Sequence, residues 1–217
     1  MMDQTAPATP QSYRTKVTRE DWLKAARAAL IDHGVDHVRI LKLAQKLGVA
    51  RSSFYWYFRD RDDLLDKLIA FWRGSNTADI VEHAERPAKH IVEAVLNIFE
   101  CWTDKLRFDP KLDFAMRDWA RRDPALQSLV HREDEIRVDA IRALFERHGY
   151  SHDEAFIRAR IVYFMQIGYY SLSLEETMDQ RLQHTTEYIY SFTGVHPDPG
   201  DIVRFQTFAR SQSRTQR

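Results

Sequence analysis

The 217-residue chain has one cysteine, seven glycines and seven prolines. A lone Cys101 excludes an intrachain disulfide and a thiolate cage around a metal, and it fits a reducing compartment. It is expected to be inert filler in a helix. So few glycines and prolines exclude a low-complexity or collagen-like chain. Long apolar runs are missing as well. The most apolar stretch, IVYFMQIGYYSLSL from Ile161 to Leu174, falls short of the ~18 residues of a membrane span and contains Gln166 and Ser171. The opening MMDQTAPATPQ has no apolar core of a secretory signal, so the expected location is the cytoplasm. No nucleophile elbow, phosphate loop, HExxH or paired carboxylates occur, so an enzyme is not expected, nor a cofactor. His148 and His152 are four apart, but Gly149 and Ser151 interrupt them, so no metal pair is expected.

Net charge is absent too: 32 basic residues balance 32 acidic ones. The balance is uneven along the chain. Residues 1–73 hold 13 Lys/Arg and 9 Asp/Glu, a net of +4, and the remainder carries −4. The 23 residues from His37 to Arg59 contain five basic side chains and no acid. Such a stretch suits a polyanion, although chance clustering produces the same pattern.

What is present is mostly helix. Residues 1–15 lack periodicity and read as an arm. In TREDWLKAARAALIDHG, Thr18 is placed to cap, apolar residues recur at helical spacing and Gly34 ends the run. Ile40, Leu43, Ala44 and Leu47 repeat at three and four before Gly48. Asp60 is placed to cap RDDLLDKLIAFW. Asp109-Pro110 and Asp123-Pro124 are cap-then-proline starts, Arg86-Pro87 opens another helix, and Ser151 to Glu154 reads as a capping box. The expected class is therefore all-α. The expected division is a helix-turn-helix domain over 16–76, a larger helical domain over 77–194, and a tail over 195–217.

LGVARSSFYWYF, from Leu47 to Phe58, places five aromatics behind Arg-Ser-Ser. Read as two helical turns, Phe54 and Phe58 share a face and plug a core. Arg51, Ser52, Ser53, Tyr55, Trp56 and Tyr57 then form a surface with hydrogen-bond donors and no acid. A short helix, a glycine turn and a second short helix make a helix-turn-helix, whose second helix enters the DNA major groove. Arg51 suits a guanine edge, and the tyrosine hydroxyls suit phosphate. A purely structural aromatic core is the alternative for these residues.

GVDHVRILKLAQKLGVARSSFYWYFRDRDDLLDKL resembles the N-terminal domain of the tetracycline-repressor (TetR) family of bacterial regulators. Gly34, Leu43-Ala44, Gly48-Val49, Phe54-Tyr55, Tyr57-Phe58, Arg61 and Leu64 carry the match. The resemblance implies a homodimer on palindromic double-stranded DNA, with a C-terminal domain that binds a small effector releasing the DNA. It places Ala50 to Ser53 where the family reads bases. Tyr55, Tyr57, Arg61 and Arg39 fall where it contacts backbone, Arg61 replacing the usual Lys. Val38 departs from a common Thr, which removes a capping hydroxyl. Lys42 replaces a common acid and adds a positive charge.

For the rest of the chain the resemblance places a pocket among Phe99, Trp102, Phe114, Met116, Trp119, Phe145, Phe164 and Met165. Arg117, His131 and Gln166 would be its polar contacts. Rich in aromatics and poor in charge, the set favours an apolar or aromatic effector. The dimer interface would lie on the helix from Ser151 and on Thr177 to Phe192, through Ile161, Gly168, Tyr169, Leu182 and Ile189. A regulator controlled by a protein partner, with the cavity merely core, is the alternative.

Overall fold

The computed structural model describes residues 17–104, 107–172 and 174–214. Among them are eleven α-helices and no strand. The expected arm lies outside the described residues. None of these helices is long and apolar enough to cross a membrane.

The first helices are set by their ends. Thr18 and Asp21 form a reciprocal capping box at the start of α1, Arg19–His33. Gly48, at φ 66° and ψ 32°, closes α2, Ile40–Leu47, in the left-handed region glycine tolerates. Asp60 caps α3, Arg61–Trp72, by accepting from the Asp63 amide. Trp22, Leu30, Leu43, Phe54, Phe58, Leu64 and Leu68 form one buried cluster between these elements. Val38 is fully buried within it, one residue before Arg39, which holds the N-cap position of α2 without a side-chain cap, so the loss of a capping hydroxyl expected at Val38 does not arise there.

A single π turn, Arg73–Thr77, joins α3 to α4, Ala78–Glu85. Beyond it come α5, Ile91–Thr103, α6, Pro110–Ala120, and α7, Pro124–Arg147. Next are α8, His152–Ser171, α9, Met178–Gln183, α10, Thr185–Thr193, and α11, Pro199–Arg214. Asp109 and Asp123 cap α6 and α7 as expected, and Ser151 caps α8, but Glu154 accepts from Arg158 and does not complete the expected capping box. Leu112, Met116 and Ala120 of α6 and Leu126 and Val130 of α7 pack into the N-terminal core rather than the C-terminal one. The C-terminal core is built from α4, α5, α7 and α8 together with α9 to α11.

Three expected elements differ. The segment from Arg86-Pro87 is not helical until Ile91, where His90 caps α5. The single helix expected over Thr177 to Phe192 breaks at His184, φ −107° and ψ 20°, into α9 and α10. The expected tail contains α11, whose Ile202, Phe205 and Ala209 are buried against α5 and α9. Pro199 and Gly200 sit at its start, where helices accept proline, and so do not oppose it.

A polar junction ties the two cores together. Trp72 Nε1 donates to Asp113 Oδ1 at 2.7 Å, and Arg137 Nη1 donates to the same oxygen at 2.9 Å. Arg117 Nε donates to Asp113 Oδ2 at 2.9 Å, and its two terminal nitrogens grip Asp134 at 2.9 and 2.6 Å. The Tyr163 hydroxyl from α8 accepts from both arginines at 3.0 Å and donates to Asp134 at 2.6 Å. The π turn brings Thr77 to accept from Arg137 Nε at 3.0 Å and Asn76 to donate to the Asp109 carbonyl at 2.9 Å. One extra residue per turn re-aims side chains that an uninterrupted α-helix would point elsewhere.

Candidate nucleic-acid interface and ligand cleft

The turn glycine and the Phe pair fix the recognition segment. Phe54 and Phe58 are buried and stacked with centroids 5.2 Å apart, and Trp22 meets Phe54 edge-on. The segment between them and Gly48 is a 3₁₀ helix, Arg51–Trp56, not the two α turns expected. The tighter winding suits so short a piece. Ser53 Oγ closes it by donating to the Ala50 carbonyl at 2.8 Å.

Outward from this core, Ala50, Arg51, Ser52, Tyr55 and Trp56 are exposed. Trp56 is 74% exposed, unusual for so large an apolar side chain. Arg51 Nη2 donates to the Tyr55 hydroxyl at 3.1 Å, so the two stand as a pair. Arg39, Lys42, Lys46 and Arg59 are exposed on the adjoining elements. Among the described residues, neither these four nor Arg51 has a carboxylate within ion-pair distance. The surface is thus positive and uncompensated, whereas Arg73, Arg86, Arg107 and Arg117 are each paired with a carboxylate.

Two expected backbone clamps are already engaged. Arg61 Nε and Nη2 donate to the Val38 and Val35 carbonyls, both at 2.7 Å. The Tyr57 hydroxyl donates to the Val17 carbonyl at 2.8 Å. Both brace the domain in this state. Arg61 thus supplies a donor to the Val38 carbonyl and shares the Val35 carbonyl with the Val38 amide, which donates to it at 3.1 Å.

In the C-terminal domain the expected pocket divides. Phe99, Trp102, Met165 and Gln166 line one cleft between α5, α8, α9 and α10, with Tyr169, Arg181, Leu182 and Phe205. The cleft encloses about 100 Å³. The other expected contacts lie elsewhere. Arg117 is committed to the junction. Phe114 and Trp119 are on α6, which packs on α1, and Met116 is buried in the N-terminal core. Phe145 is core, His131 is exposed on α7, and Phe164 is half exposed on α8. For the four residues on α6 the reason is that this helix turns its apolar face, Leu112, Met116 and Ala120, into the N-terminal core and away from the cleft.

The expected interface residues divide likewise. Leu182 and Ile189 are buried in the chain's own core, because α9 and α10 are covered by α11 and α5. Tyr169 lines the cleft, its hydroxyl donating to Glu176 at 2.8 Å. Ile161 stays outside, 51% exposed, and an added Cβ at Gly168 would meet open space. Ile157, Phe164 and Leu172 complete this row along α8, at 53%, 50% and 70% exposure. Cys101 is buried, and burial pushes its thiol well above the usual range. No cluster of potential metal ligands occurs among the described residues.

A short helix, a left-handed glycine turn and a second short helix on a three-helix core make residues 19–72 a helix-turn-helix domain. Residues 23–68 match the model for bacterial regulatory proteins of the tetR family. The match is confined to this domain. It is 35% identical over 71 residues to tetracycline repressor protein class A from transposon 1721 of Escherichia coli, 33% of each chain. The chain thus spans about a third of the length of the curated relative it matches. The fold extends further. The crystal structure of Mycobacterium smegmatis AmtR superposes with a TM-score of 0.59 at 18% identity, covering 94% of this chain and 98% of that one. Salmonella enterica GusR superposes with a TM-score of 0.54 at 12% identity, covering 89% and 94%.

Proposed function

We propose that the chain is a DNA-binding transcriptional regulator that grips an inverted repeat as a homodimer and is governed by a small molecule in the C-terminal cleft. The carrying observation is the exposed, unpaired basic surface around Arg51 on a helix-turn-helix of the tetR family. Repression is the favoured direction, since the matched relative is named a repressor. The row Ile157, Ile161, Phe164, Gly168 and Leu172 supports the dimer, because its spacing of four, three, four and four keeps one helix face apolar and solvent-facing. Two such faces would bury each other, and Gly168 would admit close approach of the partner helix. The cleft supports control by a ligand, lying among helices that the junction connects to the DNA-binding domain.

Arg51 is assigned to base reading, while Arg39, Lys42, Ser52, Ser53, Tyr55 and Trp56 position the segment on the duplex. Arg51→Ala is expected to weaken a selected duplex by about 1–3 kcal/mol and to relax preference at one base position per half-site. Fluorescence anisotropy on the selected duplex and on a random one checks this. An equal loss on both would make Arg51 a phosphate anchor.

A further inference from the structure

Two donors in the cleft have no acceptor. Trp102 and Gln166 are 4% and 6% exposed, and neither Trp102 Nε1 nor Gln166 Nε2 meets a hydrogen-bond partner. Both side chains line the cleft. A buried polar group is normally satisfied, and leaving one unpaired is costly. Exchanging the ends of the Gln166 amide would turn it into an acceptor. No such exchange serves Trp102, which only donates. The Tyr170 hydroxyl donates to the Trp102 carbonyl at 3.1 Å, so it marks where α5 and α8 meet. Gln166 and Arg181 both approach that hydroxyl as donors without closing a hydrogen bond of normal geometry, which brings amide and guanidinium to one neighbourhood.

Arg181 adds a charge. It lies over the Tyr169 ring at 4.7 Å and has no carboxylate within ion-pair distance among the described residues. The one acid lining the cleft, Glu176, accepts from the Tyr169 hydroxyl at 2.8 Å. Around these polar groups the walls are aromatic: Phe99 packs on Trp102 at 5.7 Å and on Phe205 at 6.0 Å. About 100 Å³ is somewhat less than a cavity known to take benzene, so an open cleft of this size suits a single ring with a short polar head.

We propose that this cleft binds a small aromatic carboxylate, its ring against Phe99 and Phe205 and its carboxylate accepting from Trp102 Nε1 and Gln166 Nε2 and pairing with Arg181. A carboxylate offers lone pairs enough for all three donors, and charge strengthens each bond. A neutral amide offers one acceptor oxygen and adds donors that find no free acceptor. This inference rests on reading the cleft as an effector site, yet its test is separable from that reading.

Calorimetric titration of the full chain with benzoate, phenylacetate and benzamide, without DNA, is the test. At least one carboxylate is expected to bind, and benzamide to bind about tenfold more weakly or worse. Trp102→Phe and Arg181→Met are each expected to weaken the carboxylate by about tenfold, Arg181→Met leaving benzamide unchanged. Thermal unfolding of Trp102→Phe checks its fold, and the half-buried Arg181 gives a second variant independent of the core. No carboxylate binding at about 10 mM, equal binding of acid and amide, or indifference to both substitutions overturns the proposal. Carboxylate binding that leaves a selected duplex bound keeps the site and removes its effector role. Duplex release by an unrelated compound keeps the role and removes this chemistry.

Discussion

Asp113→Ala is expected to destabilise the chain by about 3–5 kcal/mol, because it leaves the buried Arg137 without its hydrogen-bonded carboxylate and with only Asp134, 3.9 Å away, for compensation. Arg137 is fully buried and Asp113 is 1% exposed. For a chain of this size the loss corresponds to a fall of roughly ten degrees in the thermal midpoint. Removing both charges together, Asp113→Leu with Arg137→Met, should recover most of it, since no lone charge then remains. Burial alone would raise the Asp113 carboxyl, but Arg137, Arg117 and the Trp72 indole outweigh it and hold it below the usual carboxylate range. Such a group stabilises fully above its unfolded value near pH ~4 and loses that contribution as pH falls further. The difference between wild type and Asp113→Ala should therefore narrow only below about pH 4. Denaturation monitored by circular dichroism across pH checks both statements, and a cost under about 1 kcal/mol would remove the junction's structural role.

Ile161→Arg should convert the proposed homodimer into a monomer and weaken duplex binding by about a hundredfold or more. Ile161 is 51% exposed on one chain, so the substitution costs the monomer little. In a dimer it would place two like charges in an apolar seam beside Arg160, which already lies over Phe164 and Phe156 at 5.0 and 5.3 Å. Loss of the second reading head removes the gain of linked binding, typically 10²–10⁴-fold. Analytical ultracentrifugation reports the mass and anisotropy the affinity. A variant that remains dimeric moves the interface off α8.

The parts legible in the sequence are those fixed by local chemistry. Thr18, Asp60, Asp109, Asp123 and Ser151 cap where their side chains can reach an amide a few residues on, and Gly48 marks a turn only glycine accepts easily. Phe54 and Phe58 were readable as core from spacing alone. What sequence hid depends on which way a helix faces. Arg117 looks like a pocket residue until Asp113, Asp134 and Tyr163 surround it across three helices. Leu182 and Ile189 look like interface until α11 covers their helices, and α11 itself was masked by Pro199 and Gly200. The cleft residues Tyr169, Arg181 and Phe205 come from separate helices, and no one-dimensional pattern links them.

The central claim is that two basic helix-turn-helix heads, held by one α8 seam, read DNA together. Selection of duplexes from a random pool by the full chain tests it most directly. The account predicts an inverted repeat whose half-site centres lie one helical turn, about 10 base pairs, or a multiple of it apart. A single unrepeated half-site, or no enrichment over the starting pool, would contradict it.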